Sequence, residues 1–125
     1  MEKQKPSEVI EEFLSFLDQS NIEHDDCMKI VDMCGKRNID YLHDMEFAKD
    51  KGERNRIATK IHNNQKQRRY AKNRALELEK VALFVNDKCN KSFISALKRL
   101  LKEQKDKEKY LEGDKEYIRR AGDES

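Results

Sequence analysis

Eight cationic side chains, Arg54, Arg56, Lys60, Lys66, Arg68, Arg69, Lys72 and Arg74, fall between Arg54 and Leu76, a stretch without a single Asp or Glu. Its formal charge is +8, in a chain whose acidic residues make up a fifth of the total. Residues 1–53 carry 14 acidic and 7 basic residues, and residues 77–125 carry 11 and 12. Charge segregated in this way speaks to partners more than to fold. On a helix at 100° per residue, Arg56, Lys60, Lys66, Arg69 and Arg74 spread over the face opposite an apolar seam, with Tyr70 among them. Phosphate contact and base stacking require such a face, basic with an aromatic. The competing reading is a solvated face whose cations meet the acidic N-terminal half, within the chain or across a dimer.

Four further groups carry possible chemistry. Asn64 and Arg68 fall on the apolar seam itself, where a polar layer sets register and oligomeric state at a cost in stability; the rival is a bend that leaves Arg68 exposed. His24, Cys27 and Cys34 offer three possible metal ligands, but two cysteines seven residues apart share a helix face and serve more often as small buried hydrophobes. His62 is the one histidine inside the basic stretch and lacks an orienting carboxylate beside it. Tyr117-Ile118-Arg119-Arg120 is an end able to clamp a phosphate. No nucleophile elbow, phosphate loop or zinc-protease motif occurs. The expectation is a protein that is not an enzyme and takes no cofactor or metal.

The elements that position these groups are helices. Four Gly and one Pro in 125 residues are too few for many strands and turns. Only 36% of the chain is apolar and 42% is charged, which suits long amphipathic helices or an oligomer better than one compact core. Pro6-Ser7 predicts a helix start with Ser7 as its cap. Val9, Ile10, Phe13, Leu14 and Leu17 follow on one stripe, and Gln19-Ser20-Asn21 breaks it. A second helix is expected from Asp25, burying Cys27, Ile30, Val31 and Cys34 and ending at Gly35. A third starts at Asn38, and Gly52 either interrupts or ends it.

From Glu53 the spacing 4,3,4,3 runs through Ile57, Ile61, Asn64, Arg68, Ala71, Ala75, Leu78, Ala82 and Val85. A helix so long needs a partner, and a second protomer is the economical one, with a break near Asn63-Asn64 as the rival. Asn86-Asp87 ends it. Ser92 opens a last helix with Phe93, Leu97, Leu100, Leu101 and Gln104 on one side, stopped by Gly113.

The stretch Glu53-Arg54-Asn55-Arg56-Ile57-Ala58-Thr59-Lys60-Ile61-His62, with Arg68-Arg69-Tyr70 and Lys72, resembles a group of small helical proteins from phages and integrative elements of gut Firmicutes. So does Leu97-Lys98-Arg99-Leu100-Leu101 through Lys109-Tyr110. The resemblance implies an accessory gene of a mobile element, a setting in which proteins bind nucleic acid or block host nucleases, CRISPR effectors included.

The sequence thus predicts an all-α fold of four to five helices with a long central helix, a dimeric bundle joined through Ile57, Ile61, Asn64, Arg68, Ala71, Ala75 and Leu78. A single helical domain covers 1–112, with acidic helices at 7–52, the basic central helix at 53–86, the last helix at 91–112 and a flexible tail at 113–125. The expected function is non-enzymatic binding of a polyanion, DNA or RNA, through Arg56, Lys60, Lys66, Arg69, Tyr70 and Arg74. The alternative is an inhibitor of a host nucleic-acid enzyme of anti-CRISPR type, bound to a nucleic-acid-loaded host protein. There Glu11, Glu12, Asp18, Asp25 and Asp26 imitate phosphates. A structural assembly factor is a third class. A cytoplasmic location without membrane contact is expected from three unpatterned cysteines and no apolar leader.

Overall fold

The computed structural model describes residues 3–113, and the expected tail beyond Gly113, with Tyr117-Ile118-Arg119-Arg120, lies outside them. Three α-helices fill this range: α1 (Pro6–Glu46), α2 (Lys51–Asn86) and α3 (Lys91–Glu112), with one 3₁₀ turn at Lys88–Asn90 before α3. There is no strand among the described residues. The fold is all-α, with three helices where four to five were expected.

At 1.5 Å per residue α1 is about 60 Å long, and it forms the spine of the molecule. The other two helices run antiparallel to it, one after the other. Asn64 meets Cys34, Arg74 meets Glu23 and Asn86 meets Asn21, so α2 covers the C-terminal part of α1. Ser7 and Glu11 meet Glu108 and Lys105, so α3 covers the N-terminal part. Between α1 and α2, Asp50 caps α2 by accepting the Glu53 N–H at 2.7 Å, and the Glu53 carboxylate accepts the Lys49 N–H at 3.2 Å. This reciprocal pair ends the turn and starts the helix.

The expected breaks in the N-terminal half are absent. Gln19-Ser20-Asn21, Gly35 and Asn38 all lie within α1. Gly35 costs a helix only about 1 kcal/mol, and a seam of contacts with α2 outweighs it. Ser20, Cys27 and Cys34 are buried seven residues apart, with Tyr41 and Ala48 half-buried at the same interval. Ser7 is not the helix cap. Lys5 takes that position with Pro6 in the first turn, and Ser7 is buried against Glu108. Gly52 sits in the first turn of α2 and neither breaks nor ends a helix.

α2 runs unbroken past Asn63-Asn64. Ile57, Asn64, Ala71, Ala75, Leu78 and Ala82 are buried, with Ile61 and Val85 half-buried, in the register the spacing predicts. Two features differ. The seam is filled by α1 of the same chain, where a second protomer was expected; Cys27, Ala71 and Ala75 form a buried cluster in it, with Ile30 and Val31 packed on it. Arg68 leaves the seam and is exposed. Small residues let the two helices approach closely, and a guanidinium has no room there without a buried carboxylate. No helix among the described residues is long and apolar enough to cross a membrane.

Candidate nucleic-acid interface

The three helices differ sharply in charge. α1 holds 11 acidic and 3 basic residues, α2 holds 3 and 10, and α3 holds 4 and 7. The molecule is therefore a rod with one acidic spine and a basic strip formed by α2 and then α3.

Along α2, Arg54, Arg56, Lys60, Lys66, Arg68, Arg69 and Lys72 are all exposed, and none of these seven forms an ion pair among the described residues. Arg74 is the exception. Its Nε lies 3.0 and 3.1 Å from the two Glu23 carboxylate oxygens, and one terminal nitrogen lies 3.0 Å from Glu77. Those hydrogen bonds, Glu23 first, raise the guanidinium pKa above the ordinary arginine value. The Glu23–Arg74 pair ties α2 to α1, so Arg74 is a structural member of the face and the other cations are its open members.

Tyr70 is 78% exposed, one turn from Arg74 and adjacent to Arg69. Tyr70, Asn73, Arg74 and Glu77 line a shallow hollow with Glu23. His62, Gln65, Lys66 and Arg69 line another on the outer side of α2. Nearer the hairpin end, Arg56 and Lys60 border a third with His43, Asp44 and Phe47 of the α1 end. The six residues expected to bind thus occur as three stations along one helix. α2 holds them on one element because it is continuous and anchored by its seam about every two turns.

The polar layer is half of what the spacing predicts. Asn64 is buried, and its Nδ2 donates to the Cys34 carbonyl at 2.8 Å. That bond joins the two helices where Cys34 itself is fully buried. The Oδ1 atoms of Asn64 and Asn38 are buried with no hydrogen-bond partner among the described residues.

The cysteines and histidines do not converge. Cys27 and Cys34 lie in the α1–α2 seam, while Cys89 is exposed on the 3₁₀ turn. Burial pushes the Cys27 thiol up from its ordinary value. No group of three His, Cys, Asp or Glu side chains among the described residues is placed to hold a metal ion. His62 is exposed beside Lys66 and Arg69.

Sequence reasoning missed Glu23 as the partner of Arg74, and the Ser7–Glu108 contact between the first and last helices. Both pairs are distant in sequence, and only the antiparallel layout joins them. Comparison with protein-family models, curated proteins and solved structures finds no match to this chain.

Proposed function

We propose that this protein is a non-enzymatic nucleic-acid-binding protein whose contact surface is the outer side of α2. One observation carries the reading: seven consecutive cations of the carboxylate-free stretch are exposed and form no ion pair among the described residues, although a strongly acidic helix lies directly against α2. Had their role been to neutralise α1, they would resemble Arg74. Arg56, Lys60, Lys66 and Arg69 contact phosphates, Tyr70 stacks on an unpaired base, and Arg74 holds the strip in place.

Four phosphate contacts on duplex DNA correspond to a log–log salt slope of about −4. The test is affinity for random duplex and single-stranded DNA and RNA at several salt concentrations. Lys60→Glu with Lys66→Glu flattens the slope by more than two contacts' worth, and Tyr70→Ala weakens single-strand binding by about 1–3 kcal/mol while sparing duplex. Absence of binding at low salt, or binding insensitive to salt, overturns the reading.

The spine favours a second reading. Glu11, Glu12, Asp18, Asp25 and Asp26 are exposed along α1, a row of carboxylates on a rigid rod. Such a row imitates a nucleic-acid backbone toward a host nucleic-acid enzyme, as the mobile-element resemblance suggests. Capture from host lysate with and without nuclease separates the two readings. A partner that survives digestion supports inhibition, and one that is lost supports direct binding.

A further inference from the structure

α1 carries two tracks at seven-residue spacing, and each is occupied along only one half of its length. The first runs through Phe13, Ser20, Cys27 and Cys34. α2 covers it from Ser20 onward and leaves Phe13 exposed, with Val9 and Phe16 bare beside it. The second runs through Ser7, Leu14, Asn21, Met28, Gly35 and Leu42. α3 covers its start, where Ser7 is buried and Leu14 half-buried, but Met28 and Leu42 are exposed. A Cβ added at Gly35 would meet nothing within 4 Å. Beside Met28 an open groove of 380 Å³ runs between α1 and α2, floored by Val31, Ala75 and Ala82 and edged by Leu76 and Leu83. A helix with one neighbour needs a narrow apolar stripe, whereas α1 is apolar on both tracks.

The bare surfaces continue onto the shorter helices. The Glu11–Lys105 pair marks one flank of the α1–α3 layer. Turning each helix at 100° per residue puts Phe13 on the opposite flank, together with Phe93, Leu100 and Leu111 of α3. Phe84, at the end of α2, meets Phe93 edge-on with ring centroids 6.3 Å apart, which places that flank on the side where α2 ends.

We infer that the chain pairs with a second copy of itself about a twofold axis parallel to its length. The rotated copy lays its α3 on the empty half of the first track and its α2 on the empty half of the second. The product is a four-helix bundle in which α2 of one copy and α3 of the other stack end to end. Every neighbouring pair in it is antiparallel.

Charge selects this arrangement. Each α1, with 11 acidic and 3 basic residues, is then flanked on both tracks by the basic α2 and α3 segments of the two copies. Packing the two α1 helices side by side would set acid on acid. Phe13, Phe16, Phe93, Leu100, Met28 and Leu76 are between 44% and 58% exposed. With about 150–250 Å² per whole aromatic side chain, these six alone remove roughly 1,000 Å² from water over the pair, the lower bound of a specific interface. The pairing does not use the α2 seam, and it leaves Arg56, Lys60, Lys66 and Tyr70 on the outer side.

Sedimentation equilibrium of the full chain tests the state, and cysteine cross-linking tests the arrangement. The expected result is a dimer at tens of micromolar. Phe13→Glu with Met28→Glu, both at exposed sites, weakens it by roughly tenfold or more while helical circular dichroism is kept. In a Cys89→Ser background, mixing Phe13→Cys chains with Leu100→Cys chains gives a disulfide-linked dimer, because Phe13 faces the partner copy's α3. Phe13→Cys alone does not. A monomer at every concentration overturns the inference, as does a dimer that Phe13→Cys alone can cross-link.

Discussion

The two halves of α1 bury their partners by different means. Against α2 the contact is made of small buried side chains, Ser20, Cys27 and Cys34 with Ala71, Ala75 and Ala82, and Ile57 and Leu78 are its large buried members. Against α3 the contact is polar at its far end, with Ser7 on Glu108, Glu11 on Lys105, and Lys5 on Glu112, and no residue of α3 is fully buried. The first pair is stabilised by close packing, which falls steeply with any gap. The second is a clasp of charge-assisted bonds around a half-covered apolar strip. The α1–α2 contact is accordingly the more fully buried of the two.

Removing packing from the first half gives the largest effect. Leu78→Ala opens a cavity in the seam and destabilises the chain by about 2–5 kcal/mol in urea titration, with the whole helical signal moving together. A loss confined to α3 would contradict the distinction between the halves.

Gly35→Ala sharpens the comparison in the opposite direction. The glycine is mid-helix, with open space where a Cβ would go, so alanine stabilises the helix by about 1 kcal/mol. Denaturation at high dilution checks it, and a destabilised variant there would show that the single chain needs the gap.

The smallest effect belongs to the clasp. The hydrogen bond from Ser7 holds the Glu108 carboxyl below its ordinary value of 4.5, and the contact with Glu112 raises Lys5 above 10.5. A depressed carboxyl contributes above its unfolded value and is lost as pH falls through its folded one. A raised amine contributes below its unfolded value and is lost as pH climbs through its folded one. Amide exchange in α3 and in the first turns of α1 therefore quickens below about pH 4 and again at strongly alkaline pH, when corrected for intrinsic rates, while α2 stays protected. Glu108→Gln removes the acidic limb of that profile alone.

Much of the fold is legible in the residues. The α2 seam follows from its spacing at every position except Arg68, since side chains three and four apart must share a face. The stop at Asn86-Asp87 follows from local chemistry, whereas the Asp50 cap of α2 was not read from the residues. Reading Gln19-Ser20-Asn21 and Gly35 as breaks failed because the same small and polar residues that weaken an isolated helix permit close approach to a neighbour. The recurrence of 20, 27, 34, 41 and 48 was the available signal for continuity. Of the site, the absence of carboxylates between Arg54 and Leu76 was visible; which cations stay free was not, and Arg74 was drawn away by Glu23, 51 residues earlier.

Helical class, the segregation of charge and the seam register belong to the sequence by itself, because each depends on neighbours within a few turns. The tertiary structure alone decided that the seam faces α1 of the same chain, that one cation of eight is neutralised, and that two tracks on α1 are each left half bare. Those outcomes depend on which distant surfaces meet, and a periodic pattern specifies a face without specifying what covers it.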